Sequence, residues 1–190
     1  MPRPPILPIL DRKTIFHSGL EYDQWLNQAE EDAHREKMLE RYEQVNIPLE
    51  IQQELILIER KVNIIAIAES WCGDVIRHTP LLQRLVGQNH NLTIRFVTRE
   101  QHPELFVRYL TNSGEAIPKF IFCNEEFIEV GNWGPMSTKA RRMIAIGKGL
   151  NDVATARQKV SAYYQHNHDE DACFELLDLI LIAAGIAKED

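Results

Sequence analysis

Apolar and polar positions change period several times along the middle of the chain, and each change marks an element. Val62-Asn63-Ile64-Ile65-Ala66-Ile67-Ala68 is a nearly continuous β-branched run, the pattern of a strand buried on both faces. Asp74 to Val86 then reads as a helix, Leu92 to Thr98 as a second strand and Pro103 to Thr111 as another helix, an alternation that predicts an α/β domain. Ile117 to Phe122 and Phe127 to Val130 are apolar runs joined by Cys123-Asn124-Glu125-Glu126. They predict a β-hairpin with a polar loop and with Pro118 tolerated near the strand's start. A helix follows Pro135 and runs to Gly149, the residue expected to take a left-handed cap.

The flanks read as helical. Residues 1–20 carry four prolines and a polar turn at His17-Ser18-Gly19, which predicts an extended lead-in. Glu21 to Val45 lacks Gly and Pro and spaces Tyr22, Trp25, Leu26 and Ala29 on one face, predicting one long amphipathic helix laid against the core. Pro48 opens a second helix through Arg60. Two more are expected from Asp152 to Tyr164 and from Asp169 to Ala187, with His166-Asn167-His168 between them. The domain organisation is a lead-in and helical extension over 1–60, a core over 61–149 and a C-terminal helical extension over 150–190 packed on that core.

Composition narrows the partners more than the chemistry. The 190 residues suit one core, and 44% apolar with 26% charged content is ordinary for a soluble globular protein. A net charge of −7 gives no basic footprint for nucleic acid. The N-terminus is too short in its apolar run and too proline-rich for a secretory signal, and no stretch reaches a membrane span, so no membrane is expected and the cytoplasm is the expected location. Nothing in the pattern sets an oligomeric state.

The three cysteines, Cys72, Cys123 and Cys173, are odd in number and far apart, poor material for a disulfide framework. Cys72 stands apart because it lies at the start of a predicted helix, where unpaired N–H groups favour a thiolate. Asp74 is expected as the helix N-cap and would oppose that effect, while Arg77 and His78 in the next turn would offset it if they point to the sulfur. Cys123 is expected in the hairpin loop, and structural roles are favoured for it and for Cys173. The run His166 to Asp171 has metal-ligand residue types without metal-ligand spacing, so no metal is expected. Arg99 to His102, in a loop at a strand's C-terminus, could border the active face and Arg141-Arg142 could contact an anionic partner or thiol, but solvated surface is the favoured reading of both.

Trp71-Cys72-Gly73 at the tip of a buried strand, Ile117-Pro118 before the hairpin and Val130-Gly131 after it occur in the order found in thioredoxin. The region 61–149 thus resembles the thioredoxin-like superfamily, and the Trp-Cys-Gly-Asp wording resembles a divergent bacterial branch of it. The resemblance implies a thioredoxin-like fold, a central mixed sheet flanked by helices, with Cys72 as the nucleophile. It also implies a cis peptide at Ile117-Pro118 that docks the substrate chain, and Trp71 and Gly73 beside it.

Two departures stand out: the resolving cysteine falls at Val75, and the buried acid that serves it falls at Ala66. A monothiol thiol–disulfide oxidoreductase follows, acting on a protein disulfide or mixed disulfide. It would have no bound cofactor and would be cleared by a low-molecular-weight thiol such as glutathione or bacillithiol. The alternative is a non-catalytic binding module or adaptor that keeps the docking groove alone.

Overall fold

The computed structural model describes residues 7, 9–111, 113–167 and 169–186. Its centre is a four-stranded sheet in the order β2-β1-β3-β4, built from β1 (Val62–Ile67), β2 (Leu92–Val97), β3 (Lys119–Cys123) and β4 (Glu129–Trp133). β1 pairs in parallel with β2 and antiparallel with β3, and β3 pairs antiparallel with β4. Ile64, Ile65, Ala66 and Ile67 are fully buried, as expected of a strand that has neighbours on both edges and helices on its faces. The free edge of β2 is met by Leu20, which exchanges two backbone hydrogen bonds of 2.9 Å with Phe96.

The helices on the N-terminal side are shorter and more numerous than the pattern predicts. The expected extended lead-in contains α1 (Arg12–Ser18), which starts where the Asp11 carboxylate accepts from the Thr14 N–H at 3.0 Å; its prolines lie outside the described residues. The expected single helix over 21–45 is two, α2 (Tyr22–Leu26) and α3 (Asp32–Gln44). The break has a packing cause. α2 lays Tyr22 and Trp25 on the sheet, with Trp25 stacked on Phe96 at 4.7 Å, whereas α3 buries Met38 and packs on the helix that follows β1. One straight rod cannot serve both surfaces, and at the break the Glu30 N–H turns to the Ser70 hydroxyl at 3.4 Å. α4 (Leu49–Ile56) takes Pro48 as its N-cap and stops short of Arg60.

α5 (Gly73–Val86) links β1 to β2 and continues through Pro80, which forgoes one hydrogen bond of the ladder. α6 (Pro103–Phe106) tightens into a 3-10 turn, Val107–Tyr109, in place of the longer helix expected there. The hairpin is shifted. Cys123 is the last residue of β3 rather than part of the loop, because Asn124 organises the turn by accepting from the N–H groups of Glu126 (3.1 Å) and Ile128 (2.9 Å). α7 (Thr138–Gly149) and α8 (Val153–Asn167) pack on each other around Ala140, Val160 and Tyr164. The left-handed residue between them is Asn151, φ 53°, and not Gly149. α9 (Glu170–Ala183) lies on β4, where a Cβ at Gly131 would stand 2.6 Å from Leu179. That glycine lets helix and strand touch. Ala187, the expected end of α9, lies outside the described residues.

Candidate functional site

β1 ends at Ile67 and α5 begins at Gly73, so the segment between them is a short crossing at the C-terminal end of a central strand. Cys72 has extended backbone angles and is itself the N-cap of α5, which places Asp74 inside the first turn instead of at the cap. The Cys72 thiol is half-buried and reaches the carbonyl oxygen of Ile117 at 3.5 Å. The Ile117–Pro118 peptide is cis, and both residues are buried. Gly134, φ 119°, closes over Pro118 so tightly that a Cβ would meet its carbonyl oxygen at 2.1 Å. Lys119, buried beside it, donates to the Gly134 carbonyl at 2.8 Å, and burial lowers its pKa to about 8. Gly73 is exposed, and a Cβ there would meet nothing within 4 Å, so the residue next to the thiol faces open space.

Trp71 is exposed yet held. The Arg99 guanidinium lies 5.4 Å from its ring centre and donates to the Glu69 carboxylate at 2.9 and 2.7 Å. Arg99 therefore borders the site rather than being simply solvated, and Glu69 belongs to it too. Only the position of the loop after β2 hinted at Arg99, since loops at strand C-termini face one side of an open sheet. Glu69 carried no signal beyond adjacency.

The charged neighbours divide in a way the sequence does not show. The Cys72 thiol is pushed up by burial foremost, the N–H groups of Val75 and Asp74 pull it down, and the carboxylates of Asp74 and Glu69 push it up again. The net direction is upward, opposite to the helix-terminus expectation. Asp74 is itself raised to about 6 by burial, with Arg157 and Arg77 opposing. Arg77 and His78 are not brought to the sulfur. Arg77 donates to Asp169 at 3.0 and 3.2 Å and lies over the Tyr164 ring, while His78 is wholly buried between Trp133 and Tyr164.

Val75 and Ala66, at the positions of the missing thiol and acid, are both fully buried. Neither remaining cysteine can take over. Cys123 pairs with Asn63, at the far end of β3 from Lys119 and roughly 13 Å along the strand, and burial lifts its pKa to about 12. Cys173, inside α9, is fully buried and lifted to about 12 by the same cause.

The acidic run after α8 is structural. Asp169, left-handed and 1% exposed, joins Arg41 of α3 to Arg77 of α5, and Asp171 accepts from Tyr163. His168 lies outside the described residues. Among the described residues no helix is long and apolar enough to cross a membrane.

Comparison with known proteins places this arrangement. Among solved structures, a protein of unknown function from Pseudomonas aeruginosa aligns with a TM-score of 0.73 at 16% identity, over 92% of this chain and 99% of that one. A crystallised HIV epitope-scaffold aligns with a TM-score of 0.72 at 18% identity, over 94% and 100%. At such identities the likeness is one of fold. No curated protein matches the chain. The family described as Thioredoxin matches residues 19–156, so the matched region begins next to the Leu20 bridge and takes in α2 to α4 as well as the core. That span is well over half of the sequence, and the chain belongs to the thioredoxin family.

Proposed function

We propose that the protein exchanges thiols and disulfides through Cys72 alone. The observation that carries this reading is the pairing of one reachable thiol, 3.5 Å from the Ile117 carbonyl at the mouth of α5, with two that are fully buried. The Cys72 thiolate attacks one sulfur of a protein disulfide; a new S–S bond forms to Cys72 and the other sulfur leaves as a thiolate. With Val75 in place of a second thiol, an outside thiol attacks the mixed disulfide. Its sulfur bonds to the substrate's sulfur and Cys72 leaves as thiolate. Glutathione or bacillithiol has the chemistry for that second step, and a thiol-rich compartment such as the cytoplasm would supply it. The wording Trp71-Cys72-Gly73-Asp74 supports a place in a divergent bacterial branch of the family.

A second reading, docking without turnover, is favoured by the upward shift of the Cys72 thiol. The two separate in one measurement. Intact protein and Cys72→Ser are incubated with glutathione disulfide across pH 6 to 9 and weighed. Exchange predicts a single adduct on Cys72, absent in the variant. Its rate climbs with pH along a curve displaced above that of a free cysteine peptide, because a raised thiol pKa leaves less thiolate at neutrality. Reduction of insulin with dithiothreitol should be weak. An unmodified Cys72 at pH 9, in protein whose thiols all react once unfolded, sinks the exchange reading and leaves docking.

A further inference from the structure

Beside Cys72 the structure holds a cleft of about 540 Å³, a size that suits a few side chains of a bound ligand. It runs from Asp74 and the Gly114–Ala116 segment, which leads directly into Ile117, to the α7–α8 pair. Its floor is apolar, with Pro135 beside Met136 and Ile144, the latter two resting on the small core of Ala140, Val160 and Tyr164. Its rim carries Arg141, Arg142 and Lys148 from α7 and Arg157 from α8. None of these four has an ion-pair partner within 4 Å among the described residues; Arg141 donates to the Thr138 hydroxyl. The acids at the cleft are Asp74 and Glu115, and Glu115 is already paired with Arg99.

Two features decide the occupant. In a chain of net charge −7, four cations round one cleft, of which Arg157 alone also acts on Asp74, reverse the local field, which attracts and orients carboxylates. The apolar floor gives no benefit to a small, wholly polar anion but buries an aliphatic side chain. We infer that this cleft holds a short acidic segment of a partner protein, with an apolar side chain on the floor and carboxylates on the α7–α8 rim, next to the sulfur presented to Cys72. The inference rests on the reading that this edge meets a partner chain, whether or not the thiol turns over. It makes Arg142, Lys148 and Arg157 specificity-determining residues.

The test uses the full chain carrying Cys72→Ser, so that binding is read without thiol chemistry. A fluorescein-labelled octapeptide, Ser-Glu-Glu-Leu-Ser-Glu-Glu-Leu, is titrated and followed by anisotropy beside its Lys-for-Glu counterpart. The acidic peptide is expected to bind about tenfold tighter than the basic one and to weaken between 50 and 200 mM salt. Arg142→Glu with Lys148→Glu should weaken it by about tenfold or more, and Arg142→Gln with Lys148→Gln by a smaller factor, with unchanged melting temperatures. Equal binding of the two peptides, indifference to the charge reversal, or competition by glutathione disulfide at the same site overturns the proposal. Binding here with no adduct in the mass measurement means a docking cleft without a working thiol. An adduct with no binding here means that the cleft is not the docking site.

Discussion

The first and second turns of α5 sit side by side and do opposite things. The first, Gly73 to Val75, begins at an exposed glycine, keeps a half-buried thiol at its cap and a raised carboxyl at Asp74, and borders a basic cleft. The second, Arg77 to Pro80, is closed: Arg77 is bound to Asp169 and His78 is sealed between two aromatic rings. Residues one turn apart share a face only at spacings of three or four, and each step rotates by about 100°. Arg77 and His78, three and four beyond Asp74, also part company because α8 and α9 close over the second turn, while the first keeps Gly73 exposed and Cys72 half-buried. What decides whether a charged residue tunes the thiol or holds the fold is the element packed over it, not its distance in sequence from Cys72.

The largest test of that division is Asp169→Ala. The change leaves Arg41 and Arg77 without their shared carboxylate and loosens α3, α5 and α9 together. Because both arginines are only about a quarter exposed, the expected loss is about 2–4 kcal/mol in urea unfolding. Alkylation of Cys72 in the protein that remains folded should stay within about twofold of wild type. A change in Cys72 reactivity as large as the change in stability would mean that the second turn reaches the site after all.

His78→Phe probes the same turn through pH. His78 is fully buried, both ring nitrogens lack partners among the described residues, and burial, with Arg77 and Arg41 nearby, holds its pKa well below the ordinary value. A depressed folded pKa means that the unfolded chain takes up the proton first. Stability is then full above about pH 6.5 and falls as pH drops through the unfolded value toward the folded one. With phenylalanine, which fits the Trp133–Tyr164 slot without polar atoms, that slope should largely vanish. An undiminished slope would place the acid sensitivity elsewhere.

These two turns also mark where the sequence was legible. β1, α5 and β2 were readable because their apolar period is strong and their neighbours are local. Trp71, Cys72 and Pro118 were readable because they stand in a recognisable order. The break at 27–31 was not, since a hydrogen bond from Glu30 to Ser70 is set by tertiary placement, and the lead-in helix was missed although its cap, Asp11 accepting from Thr14, is local. The Asp169 junction was hidden for the same reason: its partners lie 128 and 92 residues away. Around Cys72 the sequence pointed to Asp74, placed Arg77 and His78 where the fold does not bring them, and gave no sign of Glu69. The sum of burial, two N–H groups and two carboxylates depends on how deep the sulfur sits.

Asp74→Asn addresses that balance directly and carries the smallest effect. The Asp74 carboxyl is raised to about 6, so its contribution to stability is full below its unfolded pKa and is lost as pH rises through 6. At pH 7 the charged form costs stability, and the amide should recover about 1 kcal/mol after allowance for solvent screening. The same carboxylate raises the Cys72 thiol, so its removal should speed alkylation of Cys72 at pH 7 by about two- to fivefold. Below pH 6 the wild-type carboxyl is already protonated, and the advantage of the variant should shrink toward none. A rate ratio that stays constant from pH 5 to 8 would mean that the substitution acts by shape and not by charge. A ratio of one throughout would mean that burial alone holds the thiol up. In that case the first turn of α5 would govern access to Cys72 and leave its ionisation to the depth of the sulfur.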